Sequence, residues 1–231
     1  YNTYIENKRQ EIAEKRSIEC KELSDIYIDF DVEQKYFSEF SSNLFERTRT
    51  DDDFLCVRFG TGNLEAKREI DFKKQEKLDV EDDLQIKPEE LSKEFKYVHN
   101  APIYCDLKSI NALGIVGNES YRYEIMKNMI VDICARQFQS DVKMFFVAAK
   151  ENKDKVYWLR MLPHVYNDSI EVRNIVCDDE SKNVLFEYLF KELTFREQNK
   201  SYDNNIIVFL YNEYGFQNHP VSRFVDKAKE L

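Results

Sequence analysis

From Ala112 to Ile130 the chain reads ALGIVGNESYRYEIMKNMI, an apolar run that meets a single glycine and continues into a long helical pattern. A buried strand turning at a glycine into a helix N-terminus is how nucleotide-binding α/β domains hold phosphate. Unpaired backbone N–H groups and the helix dipole both face the anion there. The pattern predicts the scaffold of a phosphate loop without its chemistry. Laying G-x-x-x-x-G-K-[ST] on Gly117 puts Arg122 at the second glycine, Tyr123 at the lysine and Glu124 at the hydroxyl that would hold magnesium. Bulky side chains replace the small ones that let backbone approach phosphate, and Glu124 repels an anion. Arg122 alone keeps the means to contact one, as a point charge.

The partner motif of such a loop is an apolar strand ending in an acidic pair, whose aspartate positions magnesium and whose glutamate polarises water. Here Ile206-Ile207-Val208-Phe209-Leu210 leads into Tyr211-Asn212-Glu213. Asn212 stands where the aspartate belongs and carries no charge; Glu213 is a relict of the pair. Two defective motifs in the right order and strand context weigh more together than either alone.

Around them the pattern alternates. Pro102–Leu107, Ala112–Val116, Val142–Ala149, Val172–Cys177 and Ile206–Tyr211 read as strands. Helices are predicted over Glu119–Phe138, Lys155–Leu162, Glu180–Glu197 and Pro220–Leu231. Continuous apolar strands separated by helices imply an α/β fold, a mainly parallel sheet with helices on both faces and right-handed crossovers. Ligands in such sheets sit at strand C-terminal ends, where Gly117 and Glu213 are both expected.

The first part of the chain has a different texture. Tyr1 to Lys21 lacks Gly and Pro and spaces Tyr1, Tyr4, Ile5, Ile12 and Cys20 loosely on one helical seam, either a surface helix or a stalk. A second helix is predicted from Asp31 as N-cap through Tyr36, Phe37, Phe40, Leu44 and Phe45. Phe54–Phe59 then reads as a strand closed by Gly60-Thr61-Gly62, with another near Ile70-Asp71-Phe72 and a short helix after Pro88. The charged stretch Glu65 to Lys96 is expected to be exposed and partly mobile. The resulting division is a helical stalk or helical pair over 1–48 and an α/β domain over 49–231.

Several features read as structure rather than chemistry. Asp51-Asp52-Asp53 lacks the glycine-punctuated spacing of a cation loop and reads as a solvated turn beside Arg47, Arg49 and Arg58. Trp158–His164 joins a helix to a turn, with His164 a satisfied turn histidine. His99 and His219 have no companions at zinc-ligand spacing, and no nucleophile stands out with its base. The five cysteines are widely spaced without a C-x-x-C pair and read as reduced core residues. A net charge of −10 without a basic cluster argues against nucleic acid as a partner. No apolar run approaches the ~20 residues that span a bilayer.

Arg49 to Gly62 (RTDDDFLCVRFGTG), Ala101-Pro102-Ile103 through Leu113-Gly114-Ile115-Val116-Gly117, Asp141-Val142-Lys143 and Trp158 to Val165 (WLRMLPHV) together carry a resemblance. They resemble the membrane-proximal cytosolic domain of EssC/EccC-type ATPases of bacterial type VII secretion systems, within the FtsK/SpoIIIE superfamily. The resemblance implies a degenerate P-loop (RecA/FtsK-like) ATPase fold preceded by an N-terminal helical stalk at the cytosolic face of the plasma membrane. It implies no catalytic residue, metal or nucleotide in this domain, with ATP and Mg in downstream ATPase domains of a parent protein. Implied partners are those downstream domains, other membrane subunits of the secretion machinery and neighbouring copies in a homo-oligomer. The competing reading is a working P-loop NTPase or a DNA translocase of the same superfamily.

Overall fold

The structure is a computed structural model that describes residues 1–72, 83–200 and 202–231, with the side chains of 83–85 left aside. Two groups of elements, which share a core where Phe54, Leu55 and Val57 meet Met126, Ile130 and Met144, make it up. The first comprises α1 (Asn2–Ile26), α2 (Phe30–Glu39), β1 (Cys56–Glu65), α3 (Asp83–Glu94) and β2 (Tyr97–Asp106). The second comprises α4 (Glu119–Arg136), β3 (Val142–Val147), the one-turn α5 (Lys153–Val156), the short strands β4 (Tyr166–Asn167), β5 (Val172–Arg173) and β6 (Ile175–Val176), α6 (Asp179–Asn199) and β7 (Asn205–Leu210). A 3₁₀ segment, Pro220–Glu230, follows.

Strand β3 is the centre. Its neighbours β6 and β7 both run parallel to it, in the order β6-β3-β7. Because side chains alternate along a strand, Val142, Met144, Phe146 and Ala148 face one way and pack with Met126, Met129, Ile130, Ile133 and Cys134 of α4. Phe145 and Val147 face the other way, among Leu185, Phe186 and Leu189 of α6 and Val221 and Phe224 of the C-terminal segment. The run at Val142–Val147, apolar except for Lys143 near its start, is therefore buried on both faces, as its composition predicts for a parallel strand, while Lys143 reaches out to Asp168. Helix α6 starts at a capping box in which Asp178 accepts from the Ser181 N–H and the Ser181 hydroxyl accepts from the Asp178 N–H.

The strands β1 and β2 form a separate antiparallel pair interrupted by two register shifts. Gly60-Thr61-Gly62 lies inside β1 instead of closing it. At Gly62 a Cβ would come within 3.1 Å of the Ile103 side chain, so a larger residue there fits only if Ile103 gives way. Leu23 and Tyr27, at the end of α1, pack on this pair with Cys56, Val98 and Ala101. Arg16 of α1 donates to the carbonyls of Phe95 and Arg68, and Glu19 accepts from the Lys67 N–H.

Several expected elements take other forms. Ala112–Val116 is not a strand: it runs irregularly with Leu113 and Val116 exposed, because no ladder reaches it. Asn111 pins the start of this run to the C-terminal segment, donating to the Asp226 carbonyl at 2.5 Å and accepting from the Lys229 N–H at 3.1 Å. Residues 70–72 carry no strand. Pro88 lies inside α3, not ahead of it, and part of the charged region expected to be mobile, 73–82, falls outside the described residues. The predicted helix over 155–162 divides into α5 and the 3₁₀ turn Tyr157–Met161, and the one over 220–231 is 3₁₀. The strand expected over 172–177 divides at Asn174, whose N–H donates to the Val165 carbonyl and whose carbonyl accepts from the Phe146 N–H. Helix α2 is capped by Asp29, not Asp31, and ends before Leu44.

Candidate functional site

Glycine 117 takes φ +158°, a conformation that side-chain-bearing residues rarely adopt, and sets the chain into α4. The helix begins only two residues later. Its N-cap, Asn118, accepts a hydrogen bond from the Tyr121 N–H at 2.8 Å, and Glu119 occupies the first turn. In a phosphate loop the four residues after the first glycine stay open to wrap the anion. Here they are capped and helical, one donor is already taken, and a carboxylate stands at the positive end of the dipole.

The remaining positions of the degenerate motif hold other parts of the protein. Tyr123 donates its hydroxyl to the Lys155 carbonyl at 2.9 Å, accepts from the Trp158 indole N–H at 3.1 Å, and lies edge-on to the Tyr211 ring. Glu124 pairs with Lys127 on the exposed face of α4. Arg122 has no ion-pair partner among the described residues. At the end of β7, the Asn212 side-chain oxygen accepts from the Ala149 N–H at 2.7 Å and so terminates the neighbouring strand β3. Glu213 is exposed in the turn that follows.

Sequence order does bring the two motifs to one end of the sheet. The Tyr211 hydroxyl donates to Glu119 Oε1 at 2.7 Å, tying the end of β7 to the start of α4. That bond, with Lys155 nearby, holds the Glu119 carboxyl below its ordinary range, while burial and Glu119 push the Tyr211 phenol up to about 12. The donor set is a neutral amide, an exposed carboxylate and a capped helix start, and it does not fit a magnesium nucleotide. Asn118→Ala, which removes the side-chain acceptor from the first turn, is expected to cost about 1 kcal/mol of stability. A urea melt followed by circular dichroism measures it.

A second group of residues was legible in the sequence only through Arg47 and Arg58, which stand beside the Asp51-Asp52-Asp53 turn. Between α2, α4 and the segment leading into β1, four ionisable side chains are buried together: Glu33, Arg47, Asp132 and Arg136. Arg47 donates to the carbonyls of Cys56 (2.7 Å), Ile26 (3.0 Å) and Asp53 (3.3 Å) and pairs with the Asp53 carboxylate at 2.9 Å. One side chain thus joins the end of α1, the turn at 51–53 and the start of β1. Arg136 pairs with Glu46 at 2.5 Å, and Asp132 accepts from the Arg58 N–H. Arg58 in turn holds the α1–α2 connection through the Tyr27 carbonyl and Asp29. Burial, and then the facing Asp132, push the Glu33 carboxyl far above its ordinary value, so Glu33 is protonated at neutral pH. Beyond those two arginines, the sequence holds only an aspartate inside the apolar run Met129–Ala135 and a glutamate on the inner face of α2.

The other singled-out residues are structural. Asp51 accepts from both the N–H and the hydroxyl of Thr48, closing its turn. His164 is buried, and burial lowers its pKa, leaving a neutral ring whose Nε2–H donates to the Gln137 carbonyl at the end of α4. Cys56, Cys134 and Cys177 are buried free thiols. Among the described residues no group of three or more His, Cys, Asp or Glu is placed to hold a metal ion, and no helix is long and apolar enough to cross a membrane.

The fold and site together define an α/β domain with a parallel three-stranded sheet whose motif positions have structural duties. No family model matches the chain. It is similar to the ESX secretion system protein YukB of Bacillus subtilis (strain 168), 23% identical over 244 residues that take in 100% of this chain and 16% of that protein. It is similar also to the ESX secretion system protein EccC of Geobacillus thermodenitrificans, 20% identical over 236 residues, again all of this chain and 16% of the relative. The type VII secretion system protein EssC of Staphylococcus aureus (strain NCTC 8325 / PS 47) is 22% identical over 212 residues, 90% of this chain and 14% of its own. The chain is thus homologous over its whole length to one segment of EssC/EccC/YukB-type type VII secretion proteins, and spans about one sixth of their length.

Proposed function

We propose that this chain is a non-catalytic, ATPase-like coupling domain of a type VII secretion motor protein. It transmits position and force between a membrane anchor on the N-terminal side and ATPase domains on the C-terminal side, and contacts neighbouring subunits during protein export. The observation that carries this reading is the state of the two motif positions. Tyr123, Asn212 and Asn118 are each engaged in hydrogen bonds that hold elements together, and the charges that phosphoryl transfer needs are absent. The buried cluster around Arg47 supports the mechanical half of the proposal, because it ties the end of α1 and the end of α4 to the segment that leads into β1 through charge-assisted bonds. In this reading ATP and magnesium belong to other domains of the parent protein, which sits at the cytosolic face of the bacterial plasma membrane.

Calorimetric titration of the chain with Mg-ATP tests the proposal. No heat of binding is expected up to millimolar nucleotide. Micromolar affinity, or turnover that disappears in Glu213→Gln, would overturn it in favour of a working NTPase.

A further inference from the structure

Strand β7 is the open edge of the parallel sheet. Its Asn205 and Tyr211 N–H groups donate to Asp141 and Val147 on the β3 side. By the alternation of a β-strand, the N–H and C=O groups of Ile206, Val208 and Leu210 then point away from β3. Among the described residues no strand pairs with them. Sheet edges of this kind are normally shortened, charged or covered. This one is apolar and opens into a groove of about 690 Å³. Across the groove lie Leu107, Ile110, Leu113 and Ile115, the last two within Ala112–Val116, whose sequence reads as a strand but which has no ladder of its own. The groove is a gap between an edge strand and an unpaired apolar segment.

Its charge is opposite to that of the chain. On a protein of net charge −10, the charged groove residues are Lys108, Arg122, Arg196 and Lys229 against the single carboxylate Glu119. Arg196 is neutralised by Glu192, and Glu119 is held by Tyr211 and Lys155. Lys108, Arg122 and Lys229 have no ion-pair partner among the described residues.

We propose that the free edge of β7 is a strand-addition site for an extended segment of a partner polypeptide, apolar along its middle and acidic at its ends. Main-chain bonds to Ile206, Val208 and Leu210 supply the register, the flanking apolar walls take alternate side chains, and Lys108, Arg122 and Lys229 select for carboxylates. The occupant has to be extended because the edge offers a row of donors and acceptors. It has to be acidic because the unpaired charges lining the groove are all cationic.

Amide hydrogen exchange of the chain, alone and with short synthetic peptides of alternating valine and threonine, tests this. Aspartate-flanked peptide is expected to slow exchange at Ile206, Val208 and Leu210 by at least about tenfold. The lysine-flanked version should leave it unchanged. Val208→Pro removes an edge donor without removing a bond to β3 and is expected to abolish peptide binding. Should that variant fail to fold, the double charge reversal Lys108→Glu with Lys229→Glu is expected to transfer preference to the lysine-flanked peptide. Three results would overturn the proposal: edge amides already as slow as Ile207 in the free chain, which means that Ala112–Val116 closes the edge itself; equal binding of both peptides; or a charge-reversed variant with unchanged preference.

Discussion

Arg47→Ala is expected to lower the unfolding free energy by about 3–5 kcal/mol, because removing one member of a buried ionic cluster leaves the others uncompensated. The side chain is 2% exposed and bonds to three carbonyls from three different segments. The alanine variant therefore loses those bonds and leaves Asp53 and Asp132 facing a deficit of positive charge. Arg47→Lys separates the two contributions. It keeps the charge but not the planar fork that reaches Ile26, Asp53 and Cys56 together, so it is expected to recover less than half of the loss. Equilibrium urea denaturation with a tertiary probe measures both. A loss below about 1 kcal/mol for the alanine variant would mean that the junction is not a structural anchor.

The second large effect is in pH. Glu33 has a folded pKa raised from the ordinary carboxylate value to about 10. A raised pKa means that the folded state binds the proton more tightly than the unfolded chain does. Its contribution to stability is therefore fully present below the ordinary carboxylate range and is lost as pH rises toward 10. Stability is therefore expected to fall as pH rises from the ordinary carboxylate range through neutrality into the alkaline range. Glu33→Gln keeps the shape and the hydrogen-bonding capacity without the ionisation, and is expected to flatten the decline. Urea midpoints measured across the range for both proteins give the comparison. An unchanged slope in the glutamine variant would assign the titration to another group. Alkaline conditions are thus expected to loosen the α2–α4 junction before the parallel sheet itself.

How far the sequence reaches differs from element to element. The run Val142–Val147 was legible as a doubly covered strand because every side chain in it except Lys143 is apolar, and a strand exposed to water along one face would alternate polar residues throughout. Helix α4 and its start at Glu119 were legible for the same kind of local reason: a glycine precedes it and the spacing that follows is helical, whereas the cap at Asn118 is seen only in the structure. The strand expected at Ala112–Val116 was not formed, although its composition is as suitable. A strand exists only with a partner, and Asn111 holds this run to the C-terminal segment, away from the edge of β7.

The candidate site divides in the same way. That Tyr123 and Asn212 cannot perform phosphoryl transfer follows from their chemistry and is independent of any fold. What they do instead, bonding Lys155 and Trp158 in one case and closing β3 in the other, depends on residues 32 to 63 positions away in the chain. The charged cluster was least legible of all, since Glu33, Arg47, Asp132 and Arg136 are ordinary surface residues until packing takes them out of water together.

The sequence by itself determined the parallel α/β core, the side chains at Arg122, Tyr123, Glu124 and Asn212 that differ from those of a phosphate loop and its acidic strand, and the acidic balance of the whole. Those properties are set by composition and short-range spacing. Only the tertiary structure decided that four ionisable side chains meet in the interior, that β7 has no strand on its outer side among the described residues, and that cations without a salt bridge gather beside it. Burial, strand pairing and local charge all arise from segments distant in sequence coming into contact, and no local pattern records which segments those are.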